Sequence, residues 1–236
     1  MTVEQETLVA RDDAELDALG AELLGRAITA AVNERGVARV ALSGGSTPSG
    51  TYRRLVDLEL PWSRIEWFWV DERAVPPSHE RSNFRVAGAD LGLDRAPVNA
   101  GKVHRMPAEA PDLAAAARDH EALLRKSFGV AAAVAFDAMT IGIGDDGHTA
   151  SLFPGMGTVK VDDRLVLAVA AQPEKGLEAR LTLTAPVICE ARLIVVLAKG
   201  SKKRDVVIAA RSAGSEEEIP SRLLQRARGH VVWLVD

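Results

Sequence analysis

Short apolar runs without polar alternation are the feature that most constrains this chain. VARVAL (37–42), IEWFWV (65–70), AMTIGI (138–143), LVLAVA (165–170), RLIVVLA (192–198) and HVVWLV (230–235) recur along its 236 residues. A strand with one wetted face alternates, whereas a continuous run suits a strand buried on both faces. Between the runs lie segments at helical spacing, 13–34, 48–58, 111–127 and 201–212. Strands alternating with helices predict an α/β fold, a mostly parallel sheet flanked by crossover helices. No repeat or low-complexity tract divides the chain, and 47% apolar residues supply a full core, so residues 1–236 are read as a single domain.

Charge and cysteine content narrow the function classes. The net charge is −4 and the arginines are scattered, so no footprint for a nucleic-acid backbone exists. The one cysteine, Cys189, sits in the apolar run PVICEA with no partner for a disulfide or a zinc site, as expected of a buried thiol in a reducing compartment. The opening MTVEQETLVARDDAELDAL lacks the basic and apolar regions of a signal peptide. No apolar stretch approaches the ~20 residues of a membrane span. A soluble, cytoplasmic protein is expected, with oligomeric state left open.

Glycine and charge gather where the runs end: SGGSTP after the first, DER after the second, GDDGH after the third and KGSKK after the run that closes at Ala198. In an open parallel sheet the carboxyl ends of the strands share one edge, and ligands bind in the crevice there. A single composite site is therefore expected. In SGGSTP, Gly44 and Gly45 permit close backbone approach, Thr47 is placed to cap a helix and Pro48 suits its first turn. Such a helix start receives an anion. The spacing from Gly45 to Gly50 mimics a P-loop, but Thr51 and Tyr52 replace its lysine and hydroxyl residue.

GIGDDGHTASLFPG (142–155) matches the glycine spacing of a dinucleotide-binding turn. Asp145 and Asp146 would oppose a pyrophosphate, and Pro154 and Gly155 limit any helix that starts there. What the loop does display is an acid two residues before a histidine, and His148 is a natural general base. Asp145, Asp146 and His148 could ligate a metal, but no second histidine or cysteine stands at ligand spacing. No serine has the G-x-S-x-G setting of a hydrolase nucleophile, which leaves activated water. Arg73, Arg180 and Lys203 supply positive charge at the same edge. His79, His104, His120 and His230 are expected to be satisfied or surface residues.

Together LSGGSTP, WFWVDERAVPPSHERSNFR, IGIGDDGHTASLFPG and RLTLTAPVICEARLIVVLAKGSKK resemble the 6-phosphogluconolactonase family, in order, over about residues 40–210. The resemblance implies the Rossmann-like fold shared with glucosamine-6-phosphate deaminases and ribose-5-phosphate isomerases, without a bound dinucleotide. It implies hydrolysis of 6-phospho-D-glucono-1,5-lactone, the second step of the oxidative pentose phosphate pathway, with no metal or organic cofactor. His148 is then the base and Asp146 its support. Gly44, Gly45, Thr47, Asp71, Arg73, Arg180 and Lys203 hold phosphate and sugar, with Lys202 an alternative to its neighbour. Asp145 departs from the family pattern and adds negative charge beside the base. Two other readings stay open: a glucosamine-6-phosphate deaminase, whose signature continues with a glutamate near Phe153, and a sugar-phosphate-sensing effector domain, which normally carries a DNA-binding segment that this sequence does not display.

Overall fold

The computed structural model describes residues 5–129 and 134–236. In chain order the elements are β1 (Gln5–Val9), α1 (Asp13–Arg35), β2 (Ala38–Leu42), α2 (Ser49–Val56), β3 (Ile65–Trp69), β4 (Asp71–Arg73), α3 (Asn83–Leu91), β5 (Lys102–Val103), α4 (Leu113–Phe128), β6 (Ala138–Gly142), β7 (Val166–Val169), β8 (Arg180–Leu183), α5 (Ala185–Cys189), β9 (Leu193–Ala198), α6 (Lys202–Arg211) and β10 (His230–Val235). Seven strands form one sheet in the order β1-β10-β9-β6-β2-β3-β5, and each adjacent pair is parallel.

Burial on both faces explains the unbroken apolar runs. In β3, Trp67 and Trp69 enter the layer packed under α1, α2 and α3, with Leu16, Leu24, Ile28, Tyr52 and Leu55. Phe68 points the other way, into the layer with Ala116 and Leu124 of α4, Ile188 of α5 and Val206 of α6. Helix ends follow local chemistry: Asp12 accepts from Glu15 N and Gly36 closes α1 in the left-handed conformation. Asp112 caps α4 in the same way.

Two readings of the sequence need correction. The run at 165–170 is not a strand of the parallel sheet; β7 pairs antiparallel with β8, which pairs antiparallel with β4, in a separate three-stranded sheet. Only Val166 and Val169 of β7 are buried, as befits an edge strand. The apolar runs also left out Gln5–Val9, which adds a parallel edge strand beside β10. Among the described residues no helix is long and apolar enough to cross a membrane.

Candidate active site

The strand order dictates where a site can form. β2 has β3 on one side and β6 on the other, so the chain reverses its direction of winding between β2 and β6, and a crevice opens beyond their carboxyl ends. A cavity of about 130 Å³ lies there, with Gly44 after β2, Gly142 at the end of β6, and Gly144 and His148 after it in its wall. Tyr52 of α2 fastens the loop after β2 to strand β6: its hydroxyl donates to Ser43 O at 2.8 Å and lies 2.7 Å from Thr140 Oγ1. Burial pushes the phenol up to about 12, so it stays a neutral donor.

The loop after β6 starts no helix; it folds back through turns in which Gly144 N donates to His148 O. It therefore lacks the helix N-terminus that a dinucleotide pyrophosphate needs. His148 Nδ1 lies 2.6 Å from Asp146 Oδ1, and the same oxygen accepts from His148 N at 3.1 Å. The bond to His148 holds the Asp146 carboxyl down at about 2. With Nδ1–H donated to Asp146, Nε2 carries the free lone pair. Residue 144 has to be glycine here, because a Cβ would stand 2.1 Å from His148 Nδ1. The Phe153 ring packs on the imidazole at 4.7 Å between centroids.

The opposite wall comes from the small sheet. Arg73 and Arg180 are direct cross-strand partners in the β4–β8 register, an unfavourable juxtaposition of like charges. Arg180 is buried, and its Nη1 donates to Ser151 Oγ at 3.3 Å and sits 3.6 Å from Asp71 Oδ2. Burial lowers its basicity against the pull of Asp71. Phe153 lies beneath the Arg180 guanidinium at 5.2 Å, so one ring spaces both cation and imidazole. The Nε atoms of Arg73 and Arg180 are buried without hydrogen-bond partners. Two incompletely paired guanidiniums in one cavity wall have the chemistry to receive an anion.

Asp71 is in the cavity wall although it is only 5% exposed. Its carboxylate accepts from Ser151 Oγ at 2.5 Å and from Asn83 Nδ2 at 3.0 Å, which fixes it as a buried strut under Arg180. Gly45 makes the turn after β2 with φ +85°, yet it and Thr47 lie outside the cavity wall. Thr47 caps no helix: Pro48 holds the N-cap position of α2, and Ser49 N is taken by Ser46 O at 3.3 Å. Lys203 also lies outside that wall. Its Nζ donates to Ile143 O at 2.9 Å and pairs with Asp145, so the lysine braces the histidine loop and balances the extra acid. Lys202 makes no such contact and is exposed.

Among the other histidines, the Nε2 atoms of His104, His120 and His230 are buried without a hydrogen-bond partner, and His120 departs furthest from expectation. It is buried with an unpartnered Nε2, and burial drops it to about 4, so it is a neutral core group. Cys189 is a buried free thiol whose pKa burial raises to about 11. Among the described residues no three His, Cys, Asp or Glu side chains group as a metal would require.

Sequence reasoning missed Glu72 and Asn83. Glu72 accepts from Arg73 N, Asn83 N and Phe84 N, each at 2.8 Å, and from Ser82 Oγ at 3.0 Å. It thereby satisfies the open N-terminus of α3 and ties it to β4. Asn83, 1% exposed, fills the space that a side chain at residue 44 would need: a Cβ on Gly44 would lie 1.9 Å from its Oδ1. The available signal was the polar pair Ser82-Asn83 ahead of the apolar stretch 84–91, a helix start.

Residues 11–233 match the family described as glucosamine-6-phosphate isomerases/6-phosphogluconolactonase, and the chain belongs to that family. Within it the chain is similar to 6-phosphogluconolactonase of Synechocystis sp., with 40% identity over 89% of this chain and 86% of the relative. The crystal structure of 6-phosphogluconolactonase from Leishmania guyanensis superposes with a TM-score of 0.85 at 28% identity, covering 98% of this chain and 96% of that one. A monomeric glucosamine-6-phosphate deaminase shares the fold at a TM-score of 0.79 and 22% identity, covering 98% and 97% of the two chains.

Proposed function

We propose that the chain hydrolyses 6-phospho-D-glucono-1,5-lactone to 6-phospho-D-gluconate, with His148 as general base. The observation that carries this reading is an imidazole with one nitrogen held by Asp146, in the same small cavity as the facing guanidiniums of Arg73 and Arg180. Arg73 and Arg180 take the phosphate, and that contact sets the lactone ring against His148. Nε2 removes a proton from water as the water oxygen attacks the lactone carbonyl carbon. The bond from that carbon to the ring oxygen then breaks, and the imidazolium returns its proton to the departing oxygen. General-base assistance of this kind contributes about 10²–10⁴-fold. Asp146 acts through His148 by holding its tautomer and supporting the transient positive charge. Gly44 and Gly45 shape the turn over the substrate, Asp71 steadies Arg180, and Thr47 and Lys203 contribute at the outer rim.

Deamination of glucosamine 6-phosphate is the weaker reading, since the aromatic ring of Phe153 packs against His148 where an acid would be needed. A cytoplasmic setting belongs to the proposal and suits the one buried, free thiol. The test is lactone hydrolysis by purified protein, with glucosamine 6-phosphate as control substrate. His148→Asn is expected to retain binding of 6-phosphogluconate while kcat falls by about 10²–10⁴-fold. Unchanged turnover in that variant removes the mechanism.

A further inference from the structure

Arg73 has an arginine neighbour that neither motif nor register assigns to the site. Its Nη1 donates to the backbone oxygen of Arg81 at 2.8 Å, so the main chain of residue 81 lies against the Arg73 guanidinium. An arginine side chain starting from that point can reach any anion that Arg73 holds. The Arg81 side chain is half-exposed and engaged elsewhere: Nη1 lies 2.6 Å from Glu178 Oε1, and Nη2 donates to Glu178 Oε2 at 2.8 Å. Glu178 stands two residues before Arg180, on the segment that enters β8. The Arg81–Glu178 pair thus spans from the loop beside Arg73 to the approach of Arg180. Two guanidiniums already face each other there, and a carboxylate occupies the third.

We propose that Arg81 is a further binding residue of the anion site, and that Glu178 is an internal carboxylate that engages it until the substrate's phosphate arrives. The inference rests on the phosphorylated-lactone reading. A fork of two parallel N–H donors fits a carboxylate and a phosphate equally well in geometry. The phosphate brings more charge and more acceptor oxygens than Glu178 does. It also lies in the field of Arg73 and Arg180. Arg81 keeps half of its side chain in solvent while Glu178 holds it bidentately, so the exchange needs a side-chain rotation toward a stronger anion and no backbone movement.

Three variants test this: Arg81→Ala, Glu178→Gln and the two combined. The readouts are steady-state kinetics on the phosphorylated lactone, calorimetric binding of 6-phosphogluconate and of inorganic phosphate, and thermal melting to check folding. Arg81→Ala is expected to raise KM and the product Kd by about 5–10-fold with kcat within about twofold, the scale of losing one charge-assisted contact. Glu178→Gln is expected to lower both by about 3-fold, because the competitor is gone. The double variant is expected to match Arg81→Ala. A bridge that only fastens two loops weakens binding in both single variants, and that result overturns the proposal. So does an unchanged KM in Arg81→Ala, an unchanged or raised KM in Glu178→Gln, or tightening by Glu178→Gln that persists without Arg81. Wild-type protein that fails to open the lactone defeats the functional reading instead, while the phosphate-binding series still decides the role of Arg81.

Discussion

Replacing Glu72 by glutamine takes one acceptor oxygen away from a carboxylate that four donors surround. Oε1 receives Arg73 N and Asn83 N, and Oε2 receives Phe84 N and Ser82 Oγ. The new amide group fits best at the Oε2 position, where the Ser82 hydroxyl can rotate to accept from it. The Phe84 N–H then has no acceptor. An orphaned buried donor costs about 1–3 kcal/mol. Loss of a negative charge at the N-terminus of α3 adds about 0.3–1 kcal/mol. Relief of desolvation offsets part of this, since burial pushes Glu72 above the usual carboxylate range in spite of its four bonds.

A net loss near 2 kcal/mol is expected, which for a chain of this size lowers Tm by roughly 4–8 °C. Urea and thermal unfolding of the two proteins measure it. The pH dependence supplies a second readout. Because the folded carboxyl takes up its proton at a higher pH than the unfolded one, the wild type gains stability as pH falls from above the folded pKa to the ordinary carboxylate value. The glutamine variant lacks that rise. Because Glu72 joins the strand bearing Arg73 to the helix bearing Asn83, KM for the lactone also rises. A variant within about 0.5 kcal/mol of wild type, the scale of an ordinary surface substitution, refutes the reasoning.

Two further outcomes are expected. Gly44→Ala places a Cβ 2.2 Å from Asn83 Cγ, so Asn83 has to leave Asp71; a loss of about 1–3 kcal/mol and a higher KM follow, and Asn83→Ala in the same chain restores part of the stability on thermal melting. Asp146→Asn lowers kcat by about 10²-fold. Since the Asp146 carboxyl is held at about 2, its ionised form is complete above the usual aspartate range and is lost only as pH falls through that value. The acid limb of the wild-type rate profile above about pH 4 therefore does not belong to Asp146, and an acid limb that vanishes in Asp146→Asn contradicts this.

Local pattern made part of the protein legible in the amino-acid string. Continuous apolar runs marked five of the parallel strands, because burial on both faces leaves no room for alternation. Helical spacing marked α1, α2, α4 and α6. Asp146 and His148 could be paired by eye, since a single glycine separates them and the contact is local. β1 escaped notice because its partly exposed sequence, QETLV, becomes a strand only by pairing with β10 at the far end of the chain. α3 was not among the segments at helical spacing, although Ser82 caps it locally by accepting from Arg85 N; what could not be read locally is that Glu72, from another element, accepts from Asn83 N and Phe84 N.

Residue types and short spacings thus determined by themselves that the chain would be layered α/β with an acid–histidine pair displayed at one edge of its sheet. Tertiary structure alone decided that Arg73 and Arg180 face each other, that Asp71 is a buried strut, that Asn83 occupies the space left by Gly44, and that Lys203 turns to Asp145. The physical reason is distance along the chain. Helical periodicity and turn chemistry act over a few neighbours, whereas the antiparallel register of β4 with β8 and the packing of a side chain against a missing Cβ exist only after remote segments have come together.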